Sequence, residues 1–198
     1  MYENQKLKFS AQSKLESSII EEFLFHLFKE FISKNINVGS VKAYNNLYFS
    51  PLKFENFKKE NYIKIKQKNQ DFAIYKNVEL SDNINKYCLS VPVVSIECKT
   101  YLDKTMLEGS IATAEKIKSG NPHCKFFILT ETYEVDYKVD PSTSRIDNIF
   151  VIKKGGRRER NNKFSCDVIY SLYQEVKKHL TRNWSDIENK IKTLGIIF

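Results

Sequence analysis

Apolar residues recur at helical spacing early in the chain. Leu15, Ile19, Phe23, Leu27 and Phe31 fall four apart, and Ile20, Leu24 and Phe28 widen the stripe. The spacing predicts a helix from about Ala11 to Lys34, opened by Ser13 and Glu16 as a capping box and closed at Asn35 and Gly39. "NVGSVKAYNNLYFSPLKFENF" has no regular period. "YIKIKQ" alternates apolar with basic residues and reads as a half-buried strand, and "NQDFAIYKN" as a second strand after an Asn–Gln turn. "YCLSVPVVSIECKTY", with its continuous apolar middle, fits a central third strand, with Pro92 near its start where a missing N–H is tolerable. "TMLEGSIATAEKIKSGNP" predicts a helix capped by Thr105 and Glu108, with Leu107, Ile111 and Ala114 on one face and Gly120 and Pro122 as its stop. Two further strands follow in "CKFFILTETY" and "IDNIFVIKKG". "SCDVIYSLYQEVKKHL" is an amphipathic helix that buries Val168, Leu172 and Val176, and "WSDIENKIKTL" is a short terminal helix.

This order predicts an α/β fold: a mixed central sheet flanked by helices, with a right-handed crossover from Val93 to Thr130. No repeat or low-complexity linker divides the chain, so one domain is expected over residues 1–198. Its parts would be an N-terminal helical part (1–40), a catalytic core (60–181) and a C-terminal helix (182–198). Hydrophobic residues make up 41% and charged residues 28%, and no apolar run reaches the ~20 residues that span a bilayer. The opening "MYENQKLKFS" lacks an apolar signal core, so a cytoplasmic location is expected. Cys88, Cys98, Cys124 and Cys166 are scattered without a CxxC pair, which argues against zinc. The formal charge of +8 changes the picture more, because an excess of Lys and Arg favours polyanionic partners, nucleic acid above all.

The apolar third strand stops at Glu97-Cys98-Lys99. Residues two apart on a strand share a face, so Glu97 and Lys99 project together while Ile96 and Cys98 turn into packing. Burying an unpaired carboxylate or ammonium is costly, so charges placed there point to use. Asp71 stands on a strand expected to neighbour the third. If the two strands pair, Asp71 and Glu97 approach closely enough to share one cation. Converging carboxylates repel and require a metal or a proton. Mg²⁺ takes one or two protein carboxylates and keeps waters for phosphate oxygens. A lysine beside it orients the attacking water and offsets phosphate charge, which is the equipment of metal-assisted phosphodiester hydrolysis. Neighbouring carboxylates favour the charged form of Lys99, which argues against a simple general base. The plain alternative is a surface Asp near a turn and a strand-end salt bridge between Glu97 and Lys99.

Asp71 followed by Glu97-Cys98-Lys99 resembles the D…(D/E)xK signature of the PD-(D/E)XK nuclease superfamily, with Gln70 where the older form of the motif has proline. The wider stretches "IECKTYLDKTMLEGSIATAEKIKSGNP" and "ESSIIEEFLFHLF" resemble type II restriction endonucleases of the DdeI and Bpu-ten-I type. The resemblance runs from the first helix to the last. It implies a restriction-endonuclease-like core and Mg²⁺-dependent cleavage of double-stranded DNA at a short site with a CTNAG-like core. It also implies a homodimer, or a heterodimer with a related subunit, and a companion methyltransferase. Asp71 and Glu97 would ligate the metal with help from the Cys98 backbone carbonyl, and Lys99 would serve the attacking water and the scissile phosphate. The alternatives left open are a nonspecific or structure-specific nuclease of the same fold and a catalytically silent nucleic-acid-binding domain.

The same resemblance suggests another acid from the first helix. Glu22, which shares a face with Ile19 and His26, is the candidate, against a merely solvated position. Glu115 is a candidate helper acid or a solvent-facing residue. "KKGGRRERNNK" (Lys153 to Lys163) is a Gly-containing basic loop. Its Arg157, Arg158 and Arg160 would contact phosphates or read guanine, or form a solvated turn. Lys64, Lys66 and Lys68 form a second basic stripe that would touch the DNA backbone or protect an edge strand. His26, His123 and His179 show no ligand spacing and read as structural or surface groups.

Overall fold

A computed structural model of the protein describes residues 9–33, 36–50, 53, 55, 63–81, 86–155, 162–182 and 187–195. Helix α1 (Phe9–Phe28) runs into a single 3-10 turn (Lys29–Phe31) and then strand β1 (Asn37–Phe49). β2 (Ile63–Ser81), β3 (Lys86–Leu102), helix α2 (Lys104–Gly120), β4 (Lys125–Tyr133), β5 (Asn148–Val151), α3 (Cys166–Thr181) and α4 (Ile187–Leu194) follow. The strands form one sheet in the order β1-β2-β3-β4-β5. The first three pair antiparallel, and β3-β4 and β4-β5 pair parallel, so the expected mixed sheet is present.

The helix spans and strand breaks differ from the sequence expectations in ways that have physical causes. α1 starts before Ser13, so Ser13 and Glu16 lie within it rather than at its cap, and it stops at Phe28. Gly39 does not close that helix. It lies in β1 at φ 131°, next to a register shift against β2. β1 meets β2 through two such shifts, Gly39/Val41 and Tyr44/Asn46. Burial still alternates from Val41 to Tyr48, but the inward row includes Asn45, the extra residue of the second shift and a buried polar group where an apolar one would be expected, while Tyr48 is exposed. The Asn–Gln turn is absent. Asn69 and Gln70 pair with Lys42 and Val41 inside β2, which is one continuous strand. Pro92 falls well inside β3, where it is tolerated because Val93 is the extra residue of a shift between Ile74 and Tyr75.

The sheet separates two cores. On one face α1 and α3 bury Ile20, Leu24, Phe28, Leu172 and Val176 against Phe72, Ile96, Cys98 and Leu129. On the other, α2 buries Leu107, Ala114 and Ile117 against Phe126 and Ile128. Val168 and Ile111 are only partly buried. Each large apolar side chain sealed in this way contributes roughly 1.5–3 kcal/mol. α2 starts two residues earlier than its expected cap at Thr105 implies. Its cap is Asp103, whose Oδ1 accepts from the Met106 N–H at 2.8 Å, while Glu108 pairs with Lys104 on the surface at 3.9 Å. Among the described residues no helix is long and apolar enough to cross a membrane.

The far end of α2 lies directly on the bulge of β1. A Cβ added at Gly120 would stand 2.2 Å from the Asn45 carbonyl oxygen, a backbone atom that cannot swing aside. Gly120→Ala is therefore expected to cost about 1–3 kcal/mol. Urea unfolding measures this, and an unchanged midpoint would contradict the close approach.

Candidate active site

β2 leaves β3 at one point. Their ladder runs from Ser81–Lys86 to Phe72–Ile96 and goes no further, although both strands continue. On its other side β2 carries an extra residue at this level, since Gly39 faces Ala73 and Val41 faces Gln70. Bulges of this kind bend a strand and re-aim a side chain. The result here is that Asp71 turns toward β3, where its Oδ2 accepts the Cys98 N–H at 2.9 Å. A side-chain oxygen thus ends the ladder in place of a backbone carbonyl.

Glu97 and Lys99 project from β3 on the α2 side of the sheet, opposite Ile96 and Cys98, which lie in the α1/α3 core. The Lys99 Nζ is 2.9 Å from Glu97 Oε1 and 4.0 Å from Asp71 Oδ2. Three of the residues singled out by sequence, Asp71, Glu97 and Lys99, therefore meet at the split between two strands. Asp71 is the most open of them, at 37% side-chain exposure, against 25% for Lys99 and 20% for Glu97.

The electrostatics follow from this crowding. Burial pushes the Asp71 carboxyl above its ordinary value, and Glu97 adds to the rise. The Cys98 N–H, Lys99 and Lys68 oppose it without reversing it. For Lys99, burial works to lower the pKa, but the charge and hydrogen bond of Glu97 and the charge of Asp71 outweigh it. The net shift is upward, so Lys99 remains an ammonium ion, as the sequence suggested. The Cys98 thiol faces the core and is pushed well up by burial, then by the charges of Asp71 and Glu21.

The donor set fits a hard divalent cation. Glu97 Oε2 is buried and has no hydrogen-bond partner among the described residues, an expensive state for a carboxylate oxygen unless something else meets it. Among the described residues no group of three His, Cys, Asp or Glu side chains is spaced to hold a metal, so the side chains here supply two carboxylates. That number matches Mg²⁺, which keeps several waters.

Other candidates fall elsewhere. Glu22 is not brought to the cluster. Its side chain is 76% exposed and lies 4.0 Å from His26 on the open face of α1. The acid of α1 whose charge reaches Cys98 is Glu21, which is half-buried. The choice turns on which apolar stripe packs. Ile20, Leu24 and Phe28 are buried, whereas Ile19 and Phe23 are 65% and 40% exposed, so the residue three before Leu24 faces inward. Glu115 is tied to Arg145 at 3.0 Å on the surface. Arg157, Arg158 and Arg160 lie outside the described residues. His179 is buried, and burial is the main cause that lowers its pKa to about 4, which accords with a structural group.

Periodicity also gave no hint of Gln70. Its side chain is buried, accepts a hydrogen bond from the Ser95 hydroxyl and donates to the Lys68 carbonyl at 3.3 Å. Ser40 in turn donates to the Gln70 carbonyl at 3.1 Å. These bonds span all three antiparallel strands and fix the residue just before Asp71.

The class of fold is restriction-endonuclease-like. The solved structure of the native BbvCI A2B2 tetramer matches with a TM-score of 0.71 at 22% identity, over 90% of this chain and 70% of that one. At that identity the likeness speaks for the fold alone. The sequence carries the second step: the model of the Bpu10I restriction endonuclease family matches residues 12–164, and the chain belongs to that family of type II restriction enzymes. Comparison with curated proteins gives no match.

The crowded carboxylate has a thermodynamic signature. A carboxyl whose folded pKa lies above its unfolded value weakens the fold once it ionises, and the penalty vanishes as the pH falls below the unfolded pKa. Asp71→Asn is expected to raise the thermal midpoint at about pH 7. The gain should shrink as the pH is lowered toward the unfolded value of 3.8. Thermal melts across that range measure it, and a D71N variant that melts below the wild type at neutral pH would refute this account of the shift.

Proposed function

We propose that this chain hydrolyses phosphodiester bonds of double-stranded DNA at a defined site, with Mg²⁺ as cofactor and Asp71, Glu97 and Lys99 as the catalytic centre. The observation that carries the reading is the convergence of two carboxylates and one ammonium, with Glu97 Oε2 unpartnered among the described residues, in a member of the Bpu10I restriction endonuclease family.

In this reading Asp71 and Glu97 hold the metal, and the Cys98 backbone carbonyl is a third donor. When bound, Mg²⁺ supplies Lewis-acid polarisation of the phosphate and an acidified water. Lys99 stays charged, so its part is to orient the attacking water and to offset negative charge on the scissile phosphate as it builds. The Cys98 N–H keeps Asp71 turned into the site. In-line displacement at phosphorus needs positioning and charge neutralisation more than covalent help, and this group provides both. Arg157, Arg158 and Arg160 are proposed to contact the DNA from the basic loop, and the proposed recognition sequence has a CTNAG-like core. A companion methyltransferase would protect the same site.

Cutting both strands requires two such centres, so the working enzyme is proposed to contain a second nuclease subunit, identical or related. Support comes from an apolar cleft of about 580 Å³ between α1 and α3, where Ile19, Phe23, Phe164 and Tyr170 are exposed. BbvCI itself is described as an A2B2 tetramer.

Incubation of mixed-sequence plasmid with Mg²⁺ tests the activity. Discrete fragments are expected. Lys99→Ala and Asp71→Ala should each lower the rate by at least about 100-fold, and chelation by EDTA should stop the reaction. Sequencing of fragment ends gives the site. A smear would identify a nonspecific nuclease, and intact DNA bound tightly at low salt a binding module. Light scattering of the purified chain, or of the chain with its related subunit, should give a mass above the 23.3 kDa of one chain. A monomer under both conditions would overturn the two-subunit reading.

A further inference from the structure

The catalytic cluster is small and lies at one point, whereas the polymer it would act on is long and strongly charged. The first half of β2 offers a surface for the rest of that polymer. Lys64, Lys66 and Lys68 alternate along it and are all exposed. Their cross-strand neighbours on β1 are Tyr48, Asn46 and Ala43, none of them acidic. Residues 37–50 and 63–70 together hold four lysines and no Asp or Glu. The opposite arm of β2 and the stretch of β3 paired with it are different, since residues 75–81 and 86–92 hold Lys76, Lys86 and Glu79.

The Lys68 side chain also has a fixed direction, and the two-residue period of the strand puts Lys66 and Lys64 on the same face. The Lys68 Nζ donates to the Thr113 hydroxyl on α2, so this side chain rises on the α2 side of the sheet, where Glu97 and Lys99 also project. Its charge is felt by Asp71. Among the described residues neither Lys64 nor Lys66 has a carboxylate partner. Alternate residues on a strand recur about every 6.7 Å, so the three ammonium groups cover about 13 Å. That is roughly the axial length of four base steps at 3.4 Å each.

We infer that Lys64, Lys66 and Lys68 form a phosphate track along β2 that holds the backbone of duplex DNA and leads it to the split between β2 and β3. The inference rests on the endonuclease reading and assigns it a binding surface outside the catalytic cluster and the basic loop. The competing use of these lysines is protection of the β2 edge that β3 leaves unpaired, which involves no ligand.

Salt dependence separates the two, because each phosphate contact releases counterions while edge protection releases none. The probe is a fluorescent duplex oligonucleotide, with binding by the full-length chain measured by anisotropy at several KCl concentrations in EDTA. For Lys64→Gln combined with Lys66→Gln, the slope of log K against log salt should fall by about 1.8 per bound protomer. Between 50 and 200 mM salt the wild type should then lose about 12-fold more affinity than this variant. Lys76→Gln combined with Lys86→Gln, on the opposite arm, should keep the wild-type slope. Circular dichroism checks that both variants are folded. An unchanged slope for the first pair overturns the track even if that variant aggregates, as does an equal loss for the second pair. Wild-type protein that cuts plasmid at discrete sites keeps the endonuclease reading whatever the slopes. Wild-type protein that neither binds nor cuts DNA overturns both.

Discussion

One hydrogen bond organises the region where the chemistry is proposed: the Cys98 N–H donating to Asp71. A central strand normally uses its N–H groups on neighbouring backbone. Here β2 has bent away, and leaving that donor buried without a partner would cost roughly 1–3 kcal/mol. The carboxylate fills the gap. It thereby acquires a fixed direction, and it pulls its own charge into a poorly solvated place beside a second acid. Lys99 then becomes necessary in turn, because two carboxylates at this depth need a counter-charge. The split strand, the turned aspartate, the crowded glutamate and the charged lysine are consequences of a single extra residue in β2.

The surroundings hold that arrangement. On one face α1 and α3 press Ile20, Leu24, Phe28, Leu172 and Val176 onto the strands, so Cys98 cannot turn its thiol toward the cluster. On the other, α2 leaves β3 immediately beyond Lys99, capped by Asp103, and crosses to seat Gly120 on the bulge of β1. Gln70, Ser95 and Ser40 knit the three antiparallel strands just behind Asp71. Buried polar contacts of this kind give a fixed geometry more than net stability.

Much of this was legible in the sequence. The three residues that meet at the strand split were named from the two-residue period of strands and from the cost of burying charge. The layered order of helices and strands followed from periodicity. What escaped has a common cause, which is that periodicity assumes inward positions are apolar and outward ones polar. On β1 the inward row holds polar Asn45 and the exposed row holds Tyr48, so hydrophobicity does not follow the alternation. The supposed turn at Asn69 and Gln70 is strand, because cross-strand partners override the local preference of Asn for turns. On α1 the four-residue spacing put Ile19 and Phe23 in the leading apolar stripe, and both are exposed. Only packing chose Ile20, Leu24 and Phe28, and with that choice Glu21 rather than Glu22 came to face inward.

The unbroken run of β2 from Ile63 to Ser81 has a mechanical meaning. Its basic stretch and the aspartate proposed as a metal ligand stand on one strand, joined through the bend at its extra residue and not through a loop, as a jaw and a blade might be forged from one bar. If the two act as proposed, the offset between where such a tool grips and where it severs is set by the count of residues along the bar. No loop motion can tune it.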